Sequence, residues 1–148
     1  MGVYGILHNE LLLAAVFAWA LAQVLKVPIN LYHGKKLTWA WLWGSGGMPS
    51  SHSAAVSALA TSAGIAYGFD HYAFALSAIL ALIVMYDACG VRRAAGEHAQ
   101  RLNKLGEMLL SERLTPEEKL KEFIGHTPLQ VGFGAVLGIL VAVGLLFL

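Results

Sequence analysis

The sequence predicts an all-α protein: a polytopic membrane helix bundle with about four transmembrane helices and an amphipathic helical segment on its cytoplasmic side. Three observations predict it. Of 148 residues, 57% are hydrophobic and only 13% charged, which is too apolar for an ordinary soluble domain of this size. Four stretches, about 10–27, 50–68, 71–89 and 127–148, approach the roughly 20 apolar residues that cross a bilayer, and none has Lys or Arg in its interior. The last of them contains "VGFGAVLGILVAVGLLFL", which lacks the polar face that a helix of a soluble bundle would show.

The first segment has neither the basic start nor the small-residue cleavage site of a secretory signal, so it is expected to stay in the mature protein. The second, "HSAAVSALATSAGIAYG", is built of Ala, Ser, Thr and Gly, the residues that let helix backbones approach closely in lipid. It is expected to be the central helix. The third, "YAFALSAILALIVMYDACG", is bulkier and suits a lipid-facing position. Between the third and fourth segments, Ala95, Ala99, Leu102, Leu105 and Leu109 recur at helical spacing with charges between them. That link, about 92–124, is predicted to be helical and to lie at the membrane surface or against the bundle. Within it "TPEE" reads as a second start signal, with Thr115 as cap, Pro116 at the first helical position and Glu118 closing a capping box. The helix begun there is expected to end near Gly125.

The chain is expected to be a single membrane domain over 1–148. Cys89 is the one cysteine, which excludes an internal disulfide. The net charge of +1 argues against nucleic acid as a partner, but its distribution is informative. If the segments alternate in direction, the links 28–49 and 90–126 share one side, and all ten basic residues fall on or next to it: Lys26, Lys35, Lys36, Arg92, Arg93, Arg101, Lys104, Arg113, Lys119 and Lys121. The positive-inside rule makes that side cytoplasmic, and the membrane is expected to be the cytoplasmic membrane.

The chemistry-bearing residues also fall there. In "GGMPSSHSA", Pro49 is suited to a first helical position, which puts the helix start at about 48–50 and leaves the backbone amides near Ser50, Ser51 and His52 without helical partners. Such an end, with two hydroxyls and flanking glycines, is an anion site. Alone it reads equally well as a plain helix cap. Lys26 closes the first segment, Arg92 and Arg93 follow the third, and "GHTP" brings His126 to the start of the fourth. Each has an ordinary explanation in snorkelling, topology or capping. Together they suit metal-free phosphoryl transfer: Lys and Arg neutralise phosphoryl oxygens, one histidine attacks phosphorus and the other protonates the leaving oxygen. No His-x-x-x-His, Cys-x-x-Cys or carboxylate–histidine spacing supports a metal, and no cofactor is expected.

"GGMPSSHSA", "YDACGVRRAAGEHAQRLNKL" and "LKEFIGHTPLQVGFGAVLG" resemble the divergent branch of the type 2 phosphatidic acid phosphatases, relatives of the vanadium haloperoxidases. The resemblance runs from "AQVLKVPIN" to the last helix. It implies that Lys26 binds phosphate, that His52 is the general acid and that His126 is the nucleophile that forms a phosphohistidine. The sequence departs from the wider superfamily in four ways, the last of them at Gln130. No Arg-Pro follows Lys26, Ser51 replaces a glycine, and no Ser-Arg stands six residues before His126. Arg92 and Arg93 are then the arginines available to the phosphate. Gln130 occupies the position four after His126 where the superfamily has Asp; it can accept a hydrogen bond from the imidazole but carries no charge. Asp87 or Glu97 could supply the charge, or could instead pair with Arg92 or Arg93. A rival assignment joins Arg92 to His98, with Leu102 in the acidic position; His126 is preferred because it opens a membrane helix.

The expected function is therefore a membrane lipid-phosphate phosphatase acting on phosphatidylglycerophosphate or phosphatidic acid at the cytoplasmic face, with membrane lipids as surroundings and a homodimer as the plausible assembly. The alternative is a non-catalytic lipid-phosphate binding or transport protein.

Overall fold

The computed structural model describes residues 4–32, 34, 47–110, 114–115, 118–120, 122 and 125–147. These residues form α1 (Tyr4–Leu7), α2 (Glu10–Tyr32), α3 (Ser51–Tyr67), α4 (Tyr72–Cys89), α5 (Val91–Leu110) and α6 (Pro128–Gly144), with a 3-10 turn at Leu145–Phe147. There is no strand among them. Two apolar runs are long enough to cross a membrane, Glu10–Tyr32 and Tyr72–Leu109, while α6 is a shorter apolar helix.

The expected segments and the observed helices agree closely at α3, α4 and α6. The first segment differs, because α2 carries Pro28 inside it and continues to Tyr32. Proline removes one backbone donor, a loss that neighbouring helices of a membrane bundle can accommodate. Lys26 therefore sits inside a helix rather than at its end.

Packing follows residue size. The buried positions of α2 are Ala14, Ala18, Ala22, Gln23, Lys26 and Asn30, a stripe at helical spacing. α3 packs against α2, α4 and α6 and is the central helix. Ala18, Ala22, Ala54, Ala58, Val141 and Ala142 form the apolar core. On α6, a Cβ at Gly134 would overlap the Ser50 carbonyl, and one at Gly138 the Ala54 carbonyl, so these glycines set how closely α6 approaches α3. The large side chains point outward instead: Phe17 and Val24 on α2, Leu82 and Ile83 on α4, and Val136 and Leu140 on α6 are all exposed. Small residues inside and large apolar ones outside is the arrangement of a bundle whose solvent is lipid.

The helices alternate in direction. At one end the Ser50 amide donates to the Gln130 carbonyl and the His126 amide to the Ala88 carbonyl, tying together the start of α3, the start of α6 and the end of α4. At the other end Glu10, Ser62, Ile65 and Leu145 line a cavity of about 440 Å³.

Among the described residues, the link after α4 is helical over Val91–Leu110. The second helix expected after "TPEE" is a single turn among the described residues: Glu118 and Lys119 amides donate to the Thr115 carbonyl, and 120, 122 and 125–127 are not helical. Pro116 itself lies outside the described residues. The signal was local and real, since the Thr115 amide and hydroxyl both donate to the Glu118 carboxylate at 2.8 and 3.0 Å and hold it below the usual carboxylate range. Asn103 then takes over the backbone beyond it. Its Nδ2 donates to the Leu120 carbonyl and its Oδ1 accepts from the Leu120 amide, both at 2.9 Å, which replaces the helical bonds that Leu120 would otherwise make. A bond from Nδ2 to Glu122 and a Lys119–Glu107 ion pair complete the attachment of this return segment to α5.

Candidate active site

The knot before α3 is resolved residue by residue. Gly47 has φ of 90°, a left-handed conformation that favours glycine at this turn, and a Cβ there would make only ordinary contact with Lys26 and Asn30 of α2. The Met48–Pro49 peptide is cis. Pro49 precedes the N-cap and is not the first helical residue as expected; Ser50, extended at φ −69° and ψ 115°, caps a helix that begins at Ser51. The Ser50 Oγ accepts from the Ser53 amide at 3.4 Å and the Ser53 hydroxyl at 3.0 Å. Ser50 and Ser51 are both fully buried. Ser50 is thus an architectural cap, and the donors facing the helix entrance are the amides of Ser51 and His52, which have no carbonyl one turn back to bond.

Lys26 is fully buried, on the same face of α2 as Asn30, one turn on. His126 is 4% exposed, held by its amide on Ala88 and placed just before the cap of α6. Thr127 and Gln130 form a reciprocal capping box, and this box determines the state of the histidine. The Thr127 amide donates to Gln130 Oε1 at 3.1 Å, and a backbone N–H can only donate, so the atom it meets is the amide oxygen. That same oxygen lies 3.1 Å from His126 Nδ1. Nδ1 must therefore carry the proton, and Nε2 keeps the lone pair. Nε2 is buried and has no hydrogen-bond partner among the described residues. Burial lowers the His126 pKa below its usual value; the Gln130 bond opposes this, and the charges of Lys26, His52 and Arg92 add to the lowering. The imidazole is neutral at pH 7 and keeps its basic nitrogen away from solvent.

Lys26, His52 and Arg92 are thus within electrostatic range of His126, and Lys26 and Arg92 within range of His52. His52 is exposed, which suits exchange of a proton with solvent. Arg92 is held by Asp87, Nε to Oδ2 at 2.6 Å, so Asp87 orients the guanidinium and leaves its terminal nitrogens for another partner. Arg93 and Glu97 pair with each other at 3.1 Å, and neither is among the groups whose charge acts on the two histidines. They line a separate small cavity with Gly96, Gln100, Glu122 and Gly125. The backbone of Arg93 packs on Gly125, where a Cβ would overlap it; that contact fixes the approach of the chain to His126. His98 is exposed on α5 and does not act on His126. Among the described residues no three His, Cys, Asp or Glu side chains group as a metal site.

Asn30 and Asn103 were not picked out by the sequence reading. Asn30 was hidden by ending the helix at Pro28, although it stands four residues after Lys26. Asn103 carries no local signal for a partner 17 residues away.

A family model described as the divergent PAP2 family matches residues 7–141. The chain belongs to the divergent PAP2 family. It is 43% identical over 153 residues to the uncharacterized membrane protein YuiD of Bacillus subtilis (strain 168), covering 96% of this chain and 97% of that one. No solved structure matches. The resemblance of the three motifs is thereby established as membership, and the description of the relative as a membrane protein accords with the two helices here that are long and apolar enough to cross a membrane.

Proposed function

We propose that the protein is a lipid-phosphate phosphatase that hydrolyses phosphomonoesters through a phosphohistidine. The observation that carries the reading is the buried Nε2 of His126, without a hydrogen-bond partner among the described residues, kept in its basic form by Gln130 and within electrostatic range of Lys26, Arg92 and His52. Lys26, the terminal nitrogens of Arg92 and the amides of Ser51 and His52 hold the phosphoryl oxygens. The Nε2 lone pair forms a bond to phosphorus as the bond to the lipid oxygen breaks, and His52 gives that oxygen its proton. Water then attacks phosphorus, passing a proton to His52 while the P–N bond breaks, which releases phosphate and restores both histidines. The basic links favour the cytoplasmic face for this site, where phosphatidylglycerophosphate or phosphatidic acid would be met.

A second reading is favoured by one observation. Gln130 supplies an acceptor without charge, so the imidazolium character that develops during attack is stabilised less than beside a carboxylate. On that reading the chain binds lipid phosphates without turnover.

The test is phosphate release from these two lipids by the purified protein in detergent with chelator. Release that is lost in His126→Ala and retained with chelator supports the phosphatase; binding of both lipids with no release by the wild type favours the binder.

A further inference from the structure

We infer that α5 is an interfacial helix that lies with an apolar stripe in the anionic leaflet next to the active-site end of the bundle. Val91, Ala95, His98, Leu102, Leu105 and Leu109 recur at alternating spacings of four and three, which places them along one face of the helix. No described element covers it: Val91 is 64% exposed, Leu102 55%, Leu105 52% and Leu109 75%. The neighbouring flank is occupied, because Ala99 and Asn103 are buried and Asn103 bonds the return segment at Leu120. Among the described residues, the stripe is therefore the face of α5 that their packing leaves exposed.

Two occupants suit a stripe of this period, a second α5 or a lipid surface, and the charges beside it decide between them. Arg101 flanks the stripe on one side and Arg92, already engaged with Asp87, on the other, whereas Glu97 and Glu107 lie away from it, engaged with Arg93 and Lys119. In a pair of such helices Arg101 would find no acid at the flanking positions, and His98 would fall in the seam; both oppose pairing. Against a leaflet of anionic lipid Arg101 meets opposite charge while the leucines enter the acyl boundary. Position agrees with this. α5 starts one residue after the apolar α4, whose last turns carry the exposed Tyr86, a residue suited to the interface.

This inference does not depend on catalysis, and neither does its test. The full chain with Cys89→Ser and single spin labels at Leu105, Leu109 or Gln100 is placed in nanodiscs of phosphatidylcholine with or without phosphatidylglycerol. With phosphatidylglycerol, labels at 105 and 109 should collide more with oxygen than with a water-soluble nickel chelate, and the label at 100 should show the reverse ratio. Arg101→Glu should shift 105 and 109 towards the aqueous ratio, as should omission of phosphatidylglycerol. Equal aqueous exposure at all three positions in both compositions would overturn the inference. So would short distances between Leu105 labels on two chains, which would identify a second copy as the occupant.

Discussion

At the scale of single residues, the account rests on which nitrogen of His126 is free. The assignment follows from a helix cap: Thr127 fixes the orientation of the Gln130 amide, and the amide fixes the imidazole. Gln130→Leu should remove the acceptor and half of the capping box together, costing about 1 kcal/mol of stability and slowing phosphoenzyme formation; Gln130→Glu should restore both functions. The pH dependence has a definite sign. The His126 pKa is lowered in the folded protein by burial, so the acidic limb of kcat/KM should lie below the ordinary histidine value of about 6.5. Stability should fall as the pH drops below that value, since the unfolded chain then takes up a proton that the folded chain does not. His52→Ala should retain the fold and lose about 10²–10⁴-fold in kcat, the usual contribution of a general acid; loss of folding instead would assign His52 to structure.

At the scale of elements, the interfaces are set by absence of side chains. Gly138 brings α6 onto the α3 backbone, and a side chain there must separate them. Gly138→Leu should destabilise the bundle by about 1–3 kcal/mol or more, seen as a lower thermal midpoint in detergent. Asn103→Leu should remove both partners of the Leu120 amide and carbonyl, about 0.5–1.5 kcal/mol for each hydrogen bond, and hydrogen exchange at Leu120 should speed up while α3 stays protected. Most helix positions were legible in the sequence because membrane segments announce themselves by composition. The turn after Thr115 and the run past Pro28 were not, because each is decided by tertiary partners. A capping signal reports how a helix could start; it does not report that Asn103 claims the next backbone groups.

At the scale of the whole molecule, the alternation of helix directions gathers Lys26, Ser50, Arg92 and His126 at one end. Charge pattern and motif spacing indicated that gathering, and the chemistry proposed for it rests on the residue types. What they did not resolve was the division of labour within each pair: Arg92 belongs with the histidines, while Arg93 pairs with Glu97 and packs on Gly125. A one-residue step along α5 turns a side chain by about 100°, and only the placement of α5 against the return segment decides which arginine acts on the histidines. The basic links also carry a prediction of sidedness. In right-side-out vesicles, a cysteine introduced at Lys104 should resist a membrane-impermeant maleimide until the vesicles are opened; labelling of intact vesicles would place the site on the outer face and change the lipids it can meet.

The central claim is that His126 becomes phosphorylated at Nε2. The most direct measurement is rapid quench of the wild-type protein with radiolabelled lipid phosphate, followed by mapping of the labelled residue. The account predicts an acid-labile, alkali-stable label on His126 at Nε2, absent in His126→Ala. Phosphate release that proceeds with the label elsewhere, or undiminished in His126→Ala, would contradict it.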